Sequence, residues 1–149
     1  MEITIRKAIL ADIPDLLSLI KELAVYERSP EKVTNTEAMM EQDGFGQQPL
    51  FDAFVAGYGG EIIGMAITYY RYSTWRGKCL YLEDLIVTEQ QRGLGAGKML
   101  FERCLDFARE NDCVYMNWQV LDWNTPSIDF YKQYGTDFHH EWLNCSTNV

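Results

Sequence analysis

Gln90-Gln91-Arg92-Gly93-Leu94-Gly95-Ala96-Gly97-Lys98 is the stretch on which the reading of this 149-residue chain turns. Glycines at 93, 95 and 97 leave backbone N–H groups unshielded. A helix opening there offers four N–H donors without intrahelical partners and the positive end of its peptide dipoles. Arg92 and Lys98 flank them. A glycine inside a helix costs roughly 1 kcal/mol relative to alanine, so three in five residues suit a plain helical turn poorly. The stretch reads as a cradle for a pyrophosphate. Spacing removes two common users of such cradles. A Walker A loop would need glycine where Arg92 stands and Ser or Thr where Met99 stands. A dinucleotide fingerprint would need its third glycine at Lys98.

Working outward, residues 78–88 before the turn are an apolar strand, and a helix follows through about Glu110. Residues 113–120 form another strand, which makes a strand–helix–strand unit with its anion site at a strand's carboxyl end. Toward the N-terminus, residues 2–8 alternate as a strand. Asp12 is placed to cap a helix whose apolar positions Ile13, Leu16, Leu17, Ile20, Leu23 and Ala24 keep helical spacing, ending near Tyr26-Glu27-Arg28-Ser29-Pro30. Thr34-Asn35-Thr36-Glu37 is a capping box for a short helix that stops at Asp43-Gly44. Two strands, about 51–58 and 61–72, flank Gly59-Gly60 as a hairpin. After the fifth strand, Asn124 or Thr125 starts a helix to Tyr134, and two short strands are expected to finish the chain. The order predicts one α/β domain over 1–149.

Composition narrows the partners. The chain is 47% hydrophobic and 23% charged, ordinary for a soluble globular protein. Thirteen basic against twenty-two acidic residues give a formal charge of −9, which argues against nucleic acid or an anionic membrane. No apolar run reaches spanning length and the N-terminus lacks a signal-peptide shape, so a cytoplasmic protein is expected. Cys79, Cys104, Cys113 and Cys145 form no CxxC pair and read as buried free thiols. His139-His140-Glu141 has no second ligand cluster to close a site, so no metal is expected.

The pyrophosphate cradle has a third user. Gln90-x-x-Gly93-x-Gly95 directly after an apolar strand resembles the acetyl-coenzyme A signature of the Gcn5-related N-acetyltransferases, in element order as well as motif. The strings Tyr81-Leu82-Glu83-Asp84-Leu85, Trp123-Asn124-x-Pro126-Ser127 and Phe130-Tyr131-Lys132 are similar to the spermidine/spermine and thialysine acetyltransferase group. So are Leu19-Ile20-Lys21-Glu22-Leu23-Ala24 and Asp43-Gly44-Phe45-Gly46. The resemblance implies a mixed, mostly antiparallel sheet with flanking helices, whose fourth and fifth strands splay apart at their carboxyl ends around the cofactor. It implies an enzyme that moves acetyl from acetyl-coenzyme A to a primary amine of a small polycation by direct attack in a ternary complex. A coenzyme A-binding module without catalysis, or a transferase for another amine such as a protein N-terminus, is the alternative. A homodimer is carried over from the family.

Roles follow from the resemblance residue by residue. The pantetheine arm maps to the backbone of Leu85, Ile86 and Val87, as an added strand. The pyrophosphate maps to Arg92, Gly93, Leu94, Gly95, Ala96, Gly97 and Lys98, and further coenzyme contacts map to Asn124, Thr125, Pro126 and Ser127. Asn124 read alone is equally a helix N-cap. Tyr131 matches the tyrosine that protonates the departing thiolate, and Glu83 matches the base acting through a water. Strict alternation would put Glu83 and Asp84 on opposite faces, so both reach one site only if the strand bulges. Tyr26, Glu27, Trp75, Glu83, Asp84, Asn117 and Gln119 match positions that line the amine. Ser73 stands where polyamine enzymes carry an acid, and Glu141-Trp142 resembles a pair that closes the polyamine site but lies nearer Tyr131. Diamine, polyamine and lysine-like amino acid remain open as substrates.

Overall fold

The apolar alternation in the strands sorts the molecule into layers. The computed structural model describes residues 1–149 and contains two units, Met1–Gln119 and Val120–Val149. The first unit runs β1 (Thr4–Lys7), α1 (Ile13–Tyr26), α2 (Glu37–Phe45), β2 (Asp52–Tyr58), β3 (Glu61–Ser73), β4 (Gly77–Val87), α3 (Ala96–Glu110) and β5 (Met116–Trp118). The strands lie in sheet order β1-β2-β3-β4-β5. The first three pairings are antiparallel and β4 pairs with β5 in parallel, as a crossover through α3 requires.

Successive residues of β2 and β3 serve opposite layers. Ala53, Val55, Met65, Ile67 and Ile86 pack on one face against Ile13, Leu16, Leu17 and Leu19 of α1 and Met40 of α2. On the other face Phe54 meets Phe107 of α3 edge-on at 5.2 Å, and Trp118 meets Phe101 at 5.1 Å. Leu100, Phe101 and Cys104 of α3 are fully enclosed. Each such large side chain contributes about 1.5–3 kcal/mol through burial.

The order of elements matches the expectation up to β5, and several details differ. Asp12 does not cap α1 with its side chain. Its carboxylate instead accepts from the Ile9 N–H at 2.8 Å and from both terminal nitrogens of Arg6 at 2.7 and 3.0 Å, locking the turn before the helix. Thr36 is the cap of α2, accepting from the Met39 N–H, and that helix continues through Gly44 to Phe45. The fifth strand is only Met116–Trp118; the Cys113 N–H is held by the Ala108 carbonyl at the end of α3, and bonding to β4 begins with the Val114 N–H to the Lys78 carbonyl. The splay of strands four and five is present. Their register runs from Leu80↔Met116 to Leu82↔Trp118 and stops, while β4 continues to Val87.

The second unit is built on α4 (Thr125–Lys132). Asn124 caps it, its side chain accepting from the Ser127 N–H, and Pro126 sits in the first turn, where a missing N–H is harmless. The Thr136 hydroxyl donates to the Tyr131 carbonyl at 2.6 Å beyond the helix end. The two expected terminal strands do not form: residues 136–149 carry no helix or strand. Phe138, Trp142, Leu143 and Val149 do not alternate every second residue, and a strand without a ladder partner has nothing to hold it.

One close approach fixes how α3 and the end of β4 meet. A Cβ on Gly64 would lie 2.8 Å from the Ile86 carbonyl oxygen, 3.2 Å from Val87 and 3.3 Å from Leu100. Gly64→Ala is expected to cost about 1–3 kcal/mol through overpacking. Thermal unfolding should then fall by roughly 2–4 °C per kcal/mol. A variant that melts with the parent would show that β4 and α3 yield freely at this point.

Candidate functional site

The site begins with one extra residue. Ile67 pairs with Asp84 and Thr68 with Leu82, which leaves Glu83 as a bulge in β4. Tyr69 pairs with Tyr81, and Ile67 and Tyr69, two residues apart, share a face. Asp84 therefore joins Tyr81 on the α1 face, where an unbulged strand would turn it away. The bulge required by the sequence reading is present, and it brings Glu83 and Asp84 to one site.

Glu83 is held there. The Tyr69 hydroxyl donates to one of its carboxylate oxygens at 3.0 Å, and the Tyr69 ring lies 5.2 Å from that of Tyr81. Burial and the neighbouring Glu83 push the Tyr69 phenol up to about 12. Glu27, the residue after α1, completes the cluster. Partial burial, then the charge of Glu83, holds its carboxyl above the usual range. Asp84 is pushed up to about 7, by burial first and then by Glu83 and Glu27. Carboxylates crowded together in this way suit a cation, and the raised Asp84 suits a proton acceptor near neutral pH.

Next to this cluster, β4 from Glu83 to Val87 lacks a strand on its β5 side. Unpaired backbone along that edge can take an added strand. The edge leads past a short 3₁₀ turn at Glu89–Gln91 into the glycine turn. Gly93 and Gly95 adopt left-handed backbone, φ 85° and 90°, and a Cβ at either would meet nothing within 4 Å. The Met99 N–H is satisfied by the Gly95 carbonyl at 3.1 Å, and no side chain caps α3. The N–H groups of Ala96, Gly97 and Lys98, in the first turn of α3, have no intrahelical acceptor, which fits a pyrophosphate. Arg92 ties the turn to the rest of the unit. Its Nε donates to the Val87 carbonyl at 2.9 Å, and its guanidinium lies 5.3 Å from the ring of Tyr26. The Thr88 hydroxyl donates to Glu22 of α1 at 2.7 Å.

The other expected residues fall as follows. Asn117 pairs in register with Tyr81 and accepts from the Cys79 thiol at 3.6 Å. Gln119 lies one residue beyond β5. Trp75 stands apart from the acidic cluster, 90% exposed in the turn of the β3–β4 hairpin. Asn124, Thr125, Pro126, Ser127 and Tyr131 belong to the second unit, with Asn124 and Tyr131 buried there. Three residues of the α1 face escaped the sequence reading: Tyr69, Tyr81 and Arg71, whose guanidinium sits 4.8 Å over the Tyr81 ring. Alternation from Ile67 to Ser73 puts Tyr69, Arg71 and Ser73 on one face. Only the bulge tells which face that is.

Comparison with known proteins agrees with this geometry. The profile described as "Acetyltransferase (GNAT) family" matches residues 13–136. A thialysine N-epsilon-acetyltransferase of Bos taurus is 35% identical over 141 residues, covering 89% of this chain and 83% of the relative. The spermidine/spermine N(1)-acetyltransferase-like protein 1 of Homo sapiens is 38% identical over 138 residues, covering 88% of this chain and 20% of the relative. Among solved structures, an aminoglycoside acetyltransferase from an uncultured soil metagenomic sample superposes with a TM-score of 0.80 at 18% identity. It covers 99% of this chain and 96% of that one, and supports the fold.

The raised Asp84 carboxyl has a consequence for stability with a definite sign. Its folded pKa, about 7, lies above the unfolded value, so the folded state binds the extra proton and stability falls as pH rises between the two. Asp84→Asn is therefore expected to melt above the parent at pH 8, with the gap closing toward pH 4. Melting curves of the pair across that range check it. Parallel curves would mean that Asp84 ionises without penalty.

Proposed function

The chain belongs to the acetyltransferase (GNAT) family, and on that premise we propose that it moves the acetyl group of acetyl-coenzyme A onto a primary amine of a small cation. A diamine, a polyamine or a lysine-like amino acid fits this description. The observation that carries the reading is the Glu83 bulge, which gathers Glu83 and Asp84 beside Glu27 at the start of an unpaired strand edge. Acetyl-coenzyme A, the family's co-substrate, supplies the activated acetyl group when bound. In this proposal the backbone of Leu85, Ile86 and Val87 binds its arm, and the N–H groups from Gly93 to Lys98 with Arg92 bind its pyrophosphate. The first turn of α4, from Asn124 to Ser127, adds further contacts.

The chemistry is a direct transfer in a ternary complex. Tyr26, Glu27 and Asp84 draw in the ammonium, and Glu83 takes its proton through a water. The freed nitrogen bonds to the acetyl carbon as the C–S bond breaks; Tyr131 gives its phenolic proton to the leaving sulfur, and the second proton shed by the new amide nitrogen returns to the Tyr131 phenolate. A phenol is a weak acid in water but matches a developing thiolate well. Asn117 and Gln119 line the amine in this reading, and a homodimer belongs to it by family likeness alone.

Two measurements test it. Acetyl-coenzyme A should stabilise the native chain by about 2.7 kcal/mol at a hundredfold excess over its dissociation constant, seen as a raised Tm. ATP and nicotinamide cofactors should leave Tm where it is, and the reverse pattern would end the reading. In a thiol-release assay over a panel of amines, Tyr131→Phe should cut kcat by about 10²-fold or more at nearly unchanged acetyl-coenzyme A affinity. Equal losses in both would make Tyr131 a packing or cofactor contact.

A further inference from the structure

The α1 face of the sheet changes sign along its length. Glu83 and Asp84 mark its acidic end. Moving along β3 away from them, the same face carries Tyr69, then Arg71, then Ser73, opposite Tyr81, Cys79 and Gly77. No carboxylate follows Glu83 in that direction on these two strands. Arg71 is laid over the Tyr81 ring at 4.8 Å, and none of the chain's carboxylates forms an ion pair with it. Its planar fork of donors, positioned by the aromatic face, is suited to accept a carboxylate from outside.

We propose that Arg71 is a specificity-determining residue that binds the α-carboxylate of an amino-acid substrate whose side-chain amine sits at Glu83 and Asp84. The inference rests on the acetyltransferase reading above and chooses among its substrates. Length supports the choice. Along the backbone of β3, Arg71 lies two residues beyond Tyr69, whose hydroxyl donates to Glu83, a rise of about 6.7 Å between the roots of the two side chains. An extended lysine-like chain spans roughly 7.5 Å from its terminal nitrogen to its carboxylate carbon at ordinary bond lengths. Charge supports it too. A polyamine threaded along the same path would bring a second or third ammonium to a fixed guanidinium, with no acid nearby to offset it. Selectivity of this kind is half attraction and half repulsion.

Lysine and 1,5-diaminopentane separate the two effects, since they differ only by the carboxylate. With saturating acetyl-coenzyme A, the parent enzyme should prefer lysine in kcat/KM. Arg71→Ala should raise KM for lysine about tenfold, the loss expected for one charge-assisted contact. The same change should lower KM for diaminopentane by removing a like charge, and Arg71→Lys should keep part of the lysine preference. Opposite shifts for the two substrates are something a purely structural arginine would not produce. Parallel shifts, or a parent that turns over the diamine and ignores lysine, would overturn the inference and leave the acetyltransferase reading standing. No acetylation of either compound, nor of any amine in the wider panel, would overturn both.

Discussion

A sheet strand has a period of two, and the candidate site exists because β4 breaks that period once. Inserting Glu83 between the residues paired with Thr68 and Ile67 shifts the phase of everything after it. Leu80 and Leu82 serve the α3 layer before the break, and Ile86 serves the α1 layer after it. A strand with unbroken alternation would have to bury Asp84 among the aromatics and leucines of α3, at the cost of an unpaired charge in an apolar layer. The register shift resolves that conflict and gathers the acidic pair in the same stroke. The local loss of one ladder position also coincides with the point where β5 stops accompanying β4.

The electrostatics of the cluster follow from that crowding. Glu27, Glu83 and Asp84 come from the end of a helix and from a bulge, two rigid elements that cannot separate to relieve repulsion. The relief comes instead through protonation of the most enclosed member, Asp84. A cation arriving at such a cluster favours the charged form, so cation uptake and proton release are linked. Tyr69 works in the opposite sense on its neighbour. By donating to Glu83 it fixes one carboxylate oxygen, while its own proton is held more tightly.

Much of this was legible in the residues. The glycines at 93, 95 and 97 mark a turn with special backbone, and Gly93 and Gly95 do adopt left-handed conformation. The helix periodicity of α1 and α3 and the hairpin of β2 and β3 follow from side-chain pattern alone. Adjacent acids in an apolar strand demanded a bulge, although the residue that would be extra could not be read from alternation. Tyr69, Tyr81 and Arg71 were missed for the same reason: which face of β3 belongs to the site depends on the phase of β4. No strand forms after α4, and the apolar residues between Phe138 and Val149 share no common face. A capping pattern ties Asp12 to the helix it precedes because such patterns describe neighbours in sequence. Its real partner, Arg6, sits on the preceding strand.

The glycine turn also has a property that concerns chirality. At Gly93 and Gly95 there is ample room for a side chain, since an added Cβ would touch nothing within 4 Å. What forbids one is the left-handed backbone, φ 85° and 90°, which strains an L-residue regardless of the space around it. The restriction is therefore on handedness and leaves volume unconstrained. A mirror-image residue introduced by chemical synthesis, D-alanine at 93 or 95, would satisfy the backbone better than its natural counterpart. The turn is thus sterically permissive at these two positions and conformationally strict.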